Sequence, residues 1–303
     1  MNELELIRRI ARRVPPKAGA LVAGIGDDCA VFRTPGAKED LLFTTDMLIE
    51  DVHFLRTTHT PQDVGWKALA RGLSDIAAMG GVPRFCLLSL ALAPWADARW
   101  VDRFYSGLLA LARRENVVLA GGDLSHAREI TCDIIVCGAA PRGKALRRDG
   151  ARPGDRIYVS GRLGGSALGL KTMRGAAWRR HRRPEPRVAL GCFLRERLHA
   201  TACMDLSDGL SIDLLRMAEK SRVAAELTGA IPIDRGATLA QALNGGEDYE
   251  LLFTVRPRTA VPATFEGLPL TEIGRIRAGA AGHIELNGRP LGPGGYDHFA
   301  SGI

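Results

Sequence analysis

The sequence predicts an α+β fold of two domains, and three observations lead to it. The chain has 303 residues, about twice the ~150 of a typical domain. Strand-like and helix-like stretches mix in both halves without the regular βαβ rhythm of a doubly wound sheet. Between Arg147 and Gly154 the chain turns basic and turn-rich (Arg147-Arg148-Asp149-Gly150-Ala151-Arg152-Pro153-Gly154). The boundary is placed there, giving domains of residues 1–146 and 147–303.

The elements follow in order. Residues 3–13 read as a helix, and Leu41-Leu42-Phe43-Thr44-Thr45 as a short strand that stops at Asp46. Thr60-Pro61-Gln62-Asp63 supplies an N-cap, a proline at the first helical position and an acid at N3, opening a helix to about Gly80. Its apolar residues Trp66, Leu69, Leu73 and Ile76 recur at helical spacing and form one buried stripe. Lys67, Arg71 and Asp75 gather on the opposite, polar side. A second amphipathic helix carries Trp100, Phe104, Leu108 and Leu111, and Val117–Ala120 and Ile134–Cys137 are strands. In the second half, strand Arg156–Ser160 runs through a glycine-rich turn into a helix, followed by helix 209–220 and strand Tyr249–Val255.

Composition narrows the function classes. Hydrophobic residues at 46% and charged residues at 25% describe a folded globular chain and exclude disorder. With 35 glycines and only 6% aromatics, backbone loops approaching a ligand are favoured over a base-stacking surface. No apolar run approaches the ~20 residues needed to span a bilayer; the best is Phe85 to Ala93. Charges occupy the first nine residues, where a signal peptide carries its apolar core. The six cysteines form no CxxC pair, so neither a zinc ribbon nor a disulfide scaffold is indicated, and a reducing cytoplasm is expected. The excess of 41 Lys+Arg over 34 Asp+Glu lies largely in Arg174 to Arg187. There Arg179-Arg180-His181-Arg182-Arg183, flanked by Pro184 and Pro186, reads as a solvated loop rather than an ordered helix or a nucleic-acid patch.

The positions of the acids are the informative feature. Gly24-Ile25-Gly26-Asp27-Asp28, Thr44-Thr45-Asp46, Leu73-Ser74-Asp75, Gly121-Gly122-Asp123, Asp205-Leu206-Ser207-Asp208-Gly209 and Gly245-Gly246-Glu247-Asp248 all fall at turns or element ends. Hard cations such as Mg²⁺ take oxygen ligands, usually one or two carboxylates plus phosphate oxygens per ion. Each motif alone has a plainer explanation. Asp75 can pair with Arg71 one turn back, worth about a few tenths of a kcal/mol. Ser207 or Asp208 can cap the helix after Gly209, and the glycine–aspartate pairs can be turns. Six such motifs together favour metal ions held between protein and polyphosphate.

Two decoys are set aside. Gly164 to Thr172 is one residue out of register with a GxxxxGK[ST] loop, because Leu170 rotates Lys171 by about 100° around the helix. Cys29 beside Asp28 has no histidine near it in sequence to activate it and reads as a small buried hydrophobe.

At this point the motifs resemble the thiamine-monophosphate kinases, within the wider aminoimidazole-ribonucleotide synthetase-like superfamily of ATP-using enzymes. The match runs in order from Gly24-Ile25-Gly26-Asp27-Asp28-Cys29-Ala30 through Thr44-Thr45-Asp46 with His53-Phe54, and then Lys67-Ala68-Leu69-Ala70 with Leu73-Ser74-Asp75-Ile76-Ala77-Ala78-Met79-Gly80. It continues through Gly121-Gly122-Asp123, Asp205–Leu210 and Gly245–Leu251 to Gly295-Tyr296-Asp297-His298-Phe299. The resemblance implies two α+β domains whose N-terminal halves pair in a homodimer, with ATP near that interface. It implies that Asp28, Thr44, Thr45, Asp46, Asp75, Asp123, Asp205 and Asp208 hold several Mg²⁺ ions between the phosphates. It assigns Gly122, Asp123, Arg148, Ser207 and Tyr105 to ATP, and His53, Glu247 and Tyr296 to thiamine monophosphate. The acceptor oxygen is already an anion, so no covalent catalyst or strong general base is needed, which suits a site rich in Asp and poor in His. Selenide-phosphorylating relatives would carry a reactive Cys near the N-terminus, and residues 1–23 contain none. A basic nucleic-acid module would leave the acidic motifs without a role, so neither nucleic acid nor membrane is an expected partner.

Overall fold

The computed structural model describes residues 3–14, 18–228, 231–296 and 299. In the first half, α1 (Glu3–Ala11), β1 (Leu21–Ala23), β2 (Ala30–Phe32) and β3 (Glu39–Ile49) lead to the long helix α2 (Pro61–Ala78). β4 (Val82–Leu92), α3 (Ala98–Arg114), β5 (Val118–His126) and β6 (Thr131–Pro141) complete it. The strands make one six-stranded sheet in the order β1-β2-β3-β6-β4-β5, antiparallel except for the parallel β4–β5 edge. The longest apolar run of the sequence, Phe85 to Ala93, is thus mostly the strand β4, inside a sheet and paired on both sides.

The second half contains β7 (Arg156–Ser160), α4 (Gly165–Thr172), α5 (Gly175–Arg182) and α6 (Val188–Phe193) with a π-helical turn at Leu194–Leu198. It continues through β8 (Ala202–Asp205), α7 (Leu210–Ser221), β9 (Ala224–Leu227), α8 (Leu239–Asn244) and β10 (Leu251–Val255). β11 (Thr264–Phe265), β12 (Leu268–Arg277), β13 (Ile284–Leu286) and β14 (Arg289–Pro290) close a second sheet, ordered β14-β13-β9-β12-β7-β10-β8 with β11 on β12. Mixed, mainly antiparallel sheets, with β4-α3-β5 as an isolated βαβ unit rather than a repeating series, make this the expected α+β fold. The final motif is only partly visible, since Asp297 and His298 lie outside the described residues.

The helix α2 links the two halves. Its capping box is formed as expected: Thr60 Oγ1 accepts from Asp63 N, and Asp63 Oδ2 accepts from Thr60 N. Leu69, Leu73 and Ile76 are fully buried. The side expected to be solvated is not: Lys67 and Ser74 are fully buried as well, because the second half covers it. Ala77 and Ala78 pack with Leu146, Leu190, Leu194 and Phe253 in a core cluster that joins the halves. At Gly191 of α6 a side chain would run into the carbonyl of Ala77, so the approach of α6 to α2 requires glycine there.

The basic tract departs from the expected loop. It is helix α5 through Arg182, and Pro184 falls after its end, where it breaks nothing. Two arginines of the helix, Arg180 and Arg182, and two beyond it, Arg183 and Arg187, are anchored to acids. Arg180 reaches Glu250 (3.0 Å) and Asp234 (3.4 Å), Arg182 and Arg183 both reach Asp63 (2.6 and 2.5 Å), and Arg187 clamps Glu250 (2.9 and 2.5 Å). Of the run Arg179 to Arg183, only Arg179 is left exposed.

Candidate active site

A cavity of about 550 Å³ is lined by residues from both halves. Its acidic end is built at element ends. Asp28 precedes β2, Asp75 lies on the last turn of α2, and Asp205 ends β8. Carboxylate oxygens of these three residues all lie within 4.8 Å of one another. Burial, and then the neighbouring Asp205, Asp46 and Asp28, push Asp75 well above the usual carboxylate range. Burial and Asp28 do the same to Asp205, and burial with Asp28 raises Asp27 to about 7. The relief present is partial. Arg148 forks onto Asp28 (2.6 and 3.1 Å), Ser74 donates to Asp205 (2.7 Å), and Thr44 donates to Asp75. An all-oxygen donor set whose members destabilise one another as anions fits a hard divalent cation such as Mg²⁺.

Beside this cluster Asp46 is gripped by Arg71 (2.6 and 2.9 Å), so Arg71 serves Asp46 and the simple Arg71–Asp75 pair does not form. Asp46 is nevertheless raised, because burial outweighs the arginine. The Asp205–Gly209 loop departs from the expected caps. Neither Ser207 nor Asp208 caps α7; Asp213 instead accepts from the backbone N–H of Asp208 and Gly209 (both 3.1 Å), and Arg216 ties Asp208 to Asp213. Ser207 and Asp208 are thereby left facing the cavity. The 245–249 loop lies against them: Glu247 N donates to Ser207 O (2.7 Å), Tyr249 N to Leu206 O (2.9 Å), and Tyr296 N to Asp208 O (3.1 Å).

Of the residues expected at the site, Asp28, Thr44, Thr45, Asp46, His53, Asp75, Arg148, Asp205, Ser207, Asp208, Glu247 and Tyr296 all line this cavity. Gly122, Asp123 and Tyr105 do not. Asp123 sits on the edge strand β5 and is paired with Ser89, three strands from β3 and so roughly 14 Å away at ~4.8 Å per strand. The register puts Asp123 on the same sheet face as Asp133, which accepts from Thr45 (2.6 Å). That is the face away from α2. At Gly122 a side chain would run into the Leu88 carbonyl, so glycine is required there by close strand packing. Tyr105 is half-buried on α3, edge-on to Phe104.

Both decoys resolve. The N-terminus of α4, the false phosphate loop, is filled by a carboxylate of the protein itself: Asp248 accepts from Gly164 N (2.5 Å) and Ser166 N (3.0 Å). Cys29 is buried, and burial pushes its thiol well up.

Sequence reasoning missed the far end of the cavity. His59 and His181 line it and stand edge to face 5.8 Å apart, with His181 stacked on Trp178 at 5.2 Å. Burial and Lys67 hold His59 down to about 4 and His181 to about 3, so both are neutral imidazoles. Beneath them Lys67 Nζ bonds Glu247 (2.8 and 2.9 Å) and the His53 carbonyl (3.1 Å). No local signal pairs position 59 with 181 or 67 with 247; the fold alone brings them together.

Residues 26–140 match the family model for the AIR synthase related protein, N-terminal domain, and residues 152–287 match its C-terminal domain. Fold and acidic site therefore define an AIR synthase-related protein. The thiamine-monophosphate kinase of Salmonella typhimurium is 38% identical over 99% of both chains, and that of Bacillus subtilis 34% identical over 99% of this chain and all of its own. The solved structure of AaThiL complexed with AMPPCP and TMP superposes with a TM-score of 0.86 at 34% identity, covering 98% of this chain and 97% of that one. The chain belongs to the thiamine-monophosphate kinase family and is a kinase.

Proposed function

We propose that this cavity binds ATP and thiamine monophosphate together and passes the terminal phosphoryl group of ATP directly to the acceptor phosphate, yielding thiamine diphosphate. The convergence of Asp28, Asp75 and Asp205 from three separate elements carries this reading, and the AMPPCP and TMP held by AaThiL support it. Asp28, Thr44, Thr45, Asp46, Asp75, Asp123, Asp205 and Asp208 are the residues that would hold Mg²⁺. Bound there, the metal supplies charge neutralisation and a common template for two anionic groups that otherwise repel.

The remaining work falls to the chain. Arg148, now on Asp28, is placed to exchange that carboxylate for a phosphate oxygen once the acids are occupied by cations. Ser207 contacts the nucleotide from within this cavity, while His53, Glu247 and Tyr296 hold the organic part of the acceptor; Gly122 and Tyr105, which lie outside it, reach a nucleotide only in an assembled dimer. No side chain forms a bond to phosphorus, since positioning and charge are what phosphoryl transfer demands.

The finer assembly belongs to the same reading. The chain divides near residue 147, acts in the cytoplasm, and pairs through its N-terminal halves. Val118 and Leu124 on the β5 edge are each 64% exposed, an apolar edge of the kind that pairs with another chain. Pairing there would bring Gly122 and Asp123 of one protomer into the neighbourhood of its partner's nucleotide. Among the described residues no helix is long and apolar enough to cross a membrane. The test is direct: purified protein with ATP, Mg²⁺ and thiamine monophosphate, with products separated by chromatography. Thiamine diphosphate appearing in step with ADP is expected; ATP turnover with another acceptor and none with this one overturns the reading.

A further inference from the structure

Away from the acidic cluster, a lysine lies buried beneath the histidine-lined part of the cavity. Lys67 is fully buried and does not line the cavity. Its ammonium nevertheless reaches both carboxylate oxygens of Glu247 at 2.8–2.9 Å and the carbonyl of His53 at 3.1 Å. The two residues it touches are those the proposed function places against the acceptor. One comes from the loop after β3 and the other from the loop before β10, 194 positions apart (247 − 53). A lysine with no access to solvent, spanning two loops from different halves, incurs a large desolvation cost unless both contacts are made.

We infer that Lys67 is a positioning residue for the acceptor subsite: it fixes the Glu247 carboxylate and the His53 loop so that the cavity presents one oriented anion to an organic cation bearing a phosphate. The inference rests on the function proposed above and deepens it.

The surroundings agree. Glu247 is about one-quarter exposed, and its backbone stands at φ 65°, a left-handed conformation costly for a side-chain-bearing residue and held here by the contacts around it. Despite burial, Lys67, then His181 and Arg71, hold its carboxyl down to about 2, so it is an anion throughout the neutral range. The wall above it is His181 stacked on Trp178, with His59 edge-on. His181 Nδ1 lies 2.9 Å from Ser166 Oγ and 3.4 Å from Glu247 Oε2. A flat, neutral, aromatic wall over a fixed carboxylate suits a heteroaromatic cation, which gains from both ring faces and charge. Lys67 itself is too deep to touch such a ligand, so its effect passes through Glu247.

Lys67→Met, Glu247→Gln and the double variant test this in steady-state kinetics with ATP. Each single variant is expected to raise KM for thiamine monophosphate at least tenfold while KM for ATP changes less than twofold. The double variant is expected to be no worse than either single one, because the lysine acts only through the carboxylate. Multiplying effects, or an equal rise in KM for ATP, would reduce Lys67 to a structural role and overturn the inference. Glu247→Asp reads the same contact without touching the lysine: it keeps the charge but draws the carboxylate back from Nζ. A tenfold KM rise is expected there too, and an unchanged KM overturns the inference even if Lys67→Met does not fold. A wild-type protein inactive with thiamine monophosphate would instead refute the proposed function, so the two failures are separable.

Discussion

At the scale of single residues, the site is a set of acids held in a charge state they do not favour. Asp75 shows this most clearly, half-buried beside the buried Asp205 and Asp28 with a single hydroxyl donor from Thr44. Its sequence neighbourhood offered a salt bridge with Arg71, and the fold gives that arginine to Asp46 instead. Asp75→Asn is therefore expected to do two things at once. It relieves repulsion in the metal-free protein, so the melting temperature without Mg²⁺ should hold or rise. It also removes one of the proposed metal ligands, and since even outer-shell partners cost about 10–100-fold, activity at limiting Mg²⁺ should drop at least tenfold. Unchanged turnover in a Mg²⁺ titration would remove Asp75 from the ligand set. The histidines make a second prediction. His181 has its folded pKa lowered to about 3, so it is neutral when folded and binds a proton on unfolding below its ordinary 6.5. Stability from this group is full above pH 6.5 and is lost as pH falls toward 3. His181→Asn lacks this titration. Its stability deficit against the wild type, measured by thermal melts across pH 8 to 4, should narrow steadily below 6.5; a gap constant with pH would contradict the neutral assignment.

At the scale of elements, α2 was legible as a helix and illegible as a junction. Thr60, Pro61 and Asp63 announced its start, and Leu69, Leu73 and Ile76 its core face, because both signals are local. Its second face reads as polar in sequence because Lys67, Arg71, Ser74 and Asp75 are polar, yet all four partners lie outside the helix, from Asp46 in β3 to Glu247. Polarity marks solvent only when no distant charge supplies a partner, and sequence spacing cannot show that. The tract 179–187 misled for the same reason: Asp63, Asp234 and Glu250 neutralise it from 54 to 120 positions away. Asp63 is its main anchor to α2, accepting from the backbone N–H of the N-cap Thr60 and receiving Arg182 and Arg183 together. Asp63→Ala leaves the Thr60 cap but removes the reciprocal half of the capping box and leaves two arginines without their acid, a loss of about 2–4 kcal/mol. Urea unfolding should show a lower midpoint of that size with little change in slope, whereas a cost under about 0.5 kcal/mol would mean that α5 is held by Trp178 packing alone.

At the scale of the whole molecule, two half-sites face one another across α2, and most of the acidic site was readable because most of its acids stand beside a glycine or an element end in sequence, although β3 runs on past Asp46 to Ile49. Gly122 and Asp123 were readable as motif positions and Tyr105 only through the resemblance, but their distance from the cavity was not readable, since it depends on strand order: β5 follows α3 in sequence but takes the sheet edge beyond β4. The proposed pairing through the N-terminal halves would account for both the exposed apolar edge and the distant acid. Leu124→Lys on that edge should shift the protein from dimer to monomer in light scattering and lower activity in parallel. An active monomer at nanomolar enzyme would show that β5 completes nothing. The central claim, direct transfer between two anions, is tested most directly by a single-turnover experiment with ATP labelled at the γ-phosphate and enzyme in excess, quenched over time. The label should pass from ATP to thiamine diphosphate at one rate, with none on the protein at any time point. Label that appears first on the chain, is released by hydroxylamine, and then decays into product would contradict the account and make one of these aspartates a covalent carrier.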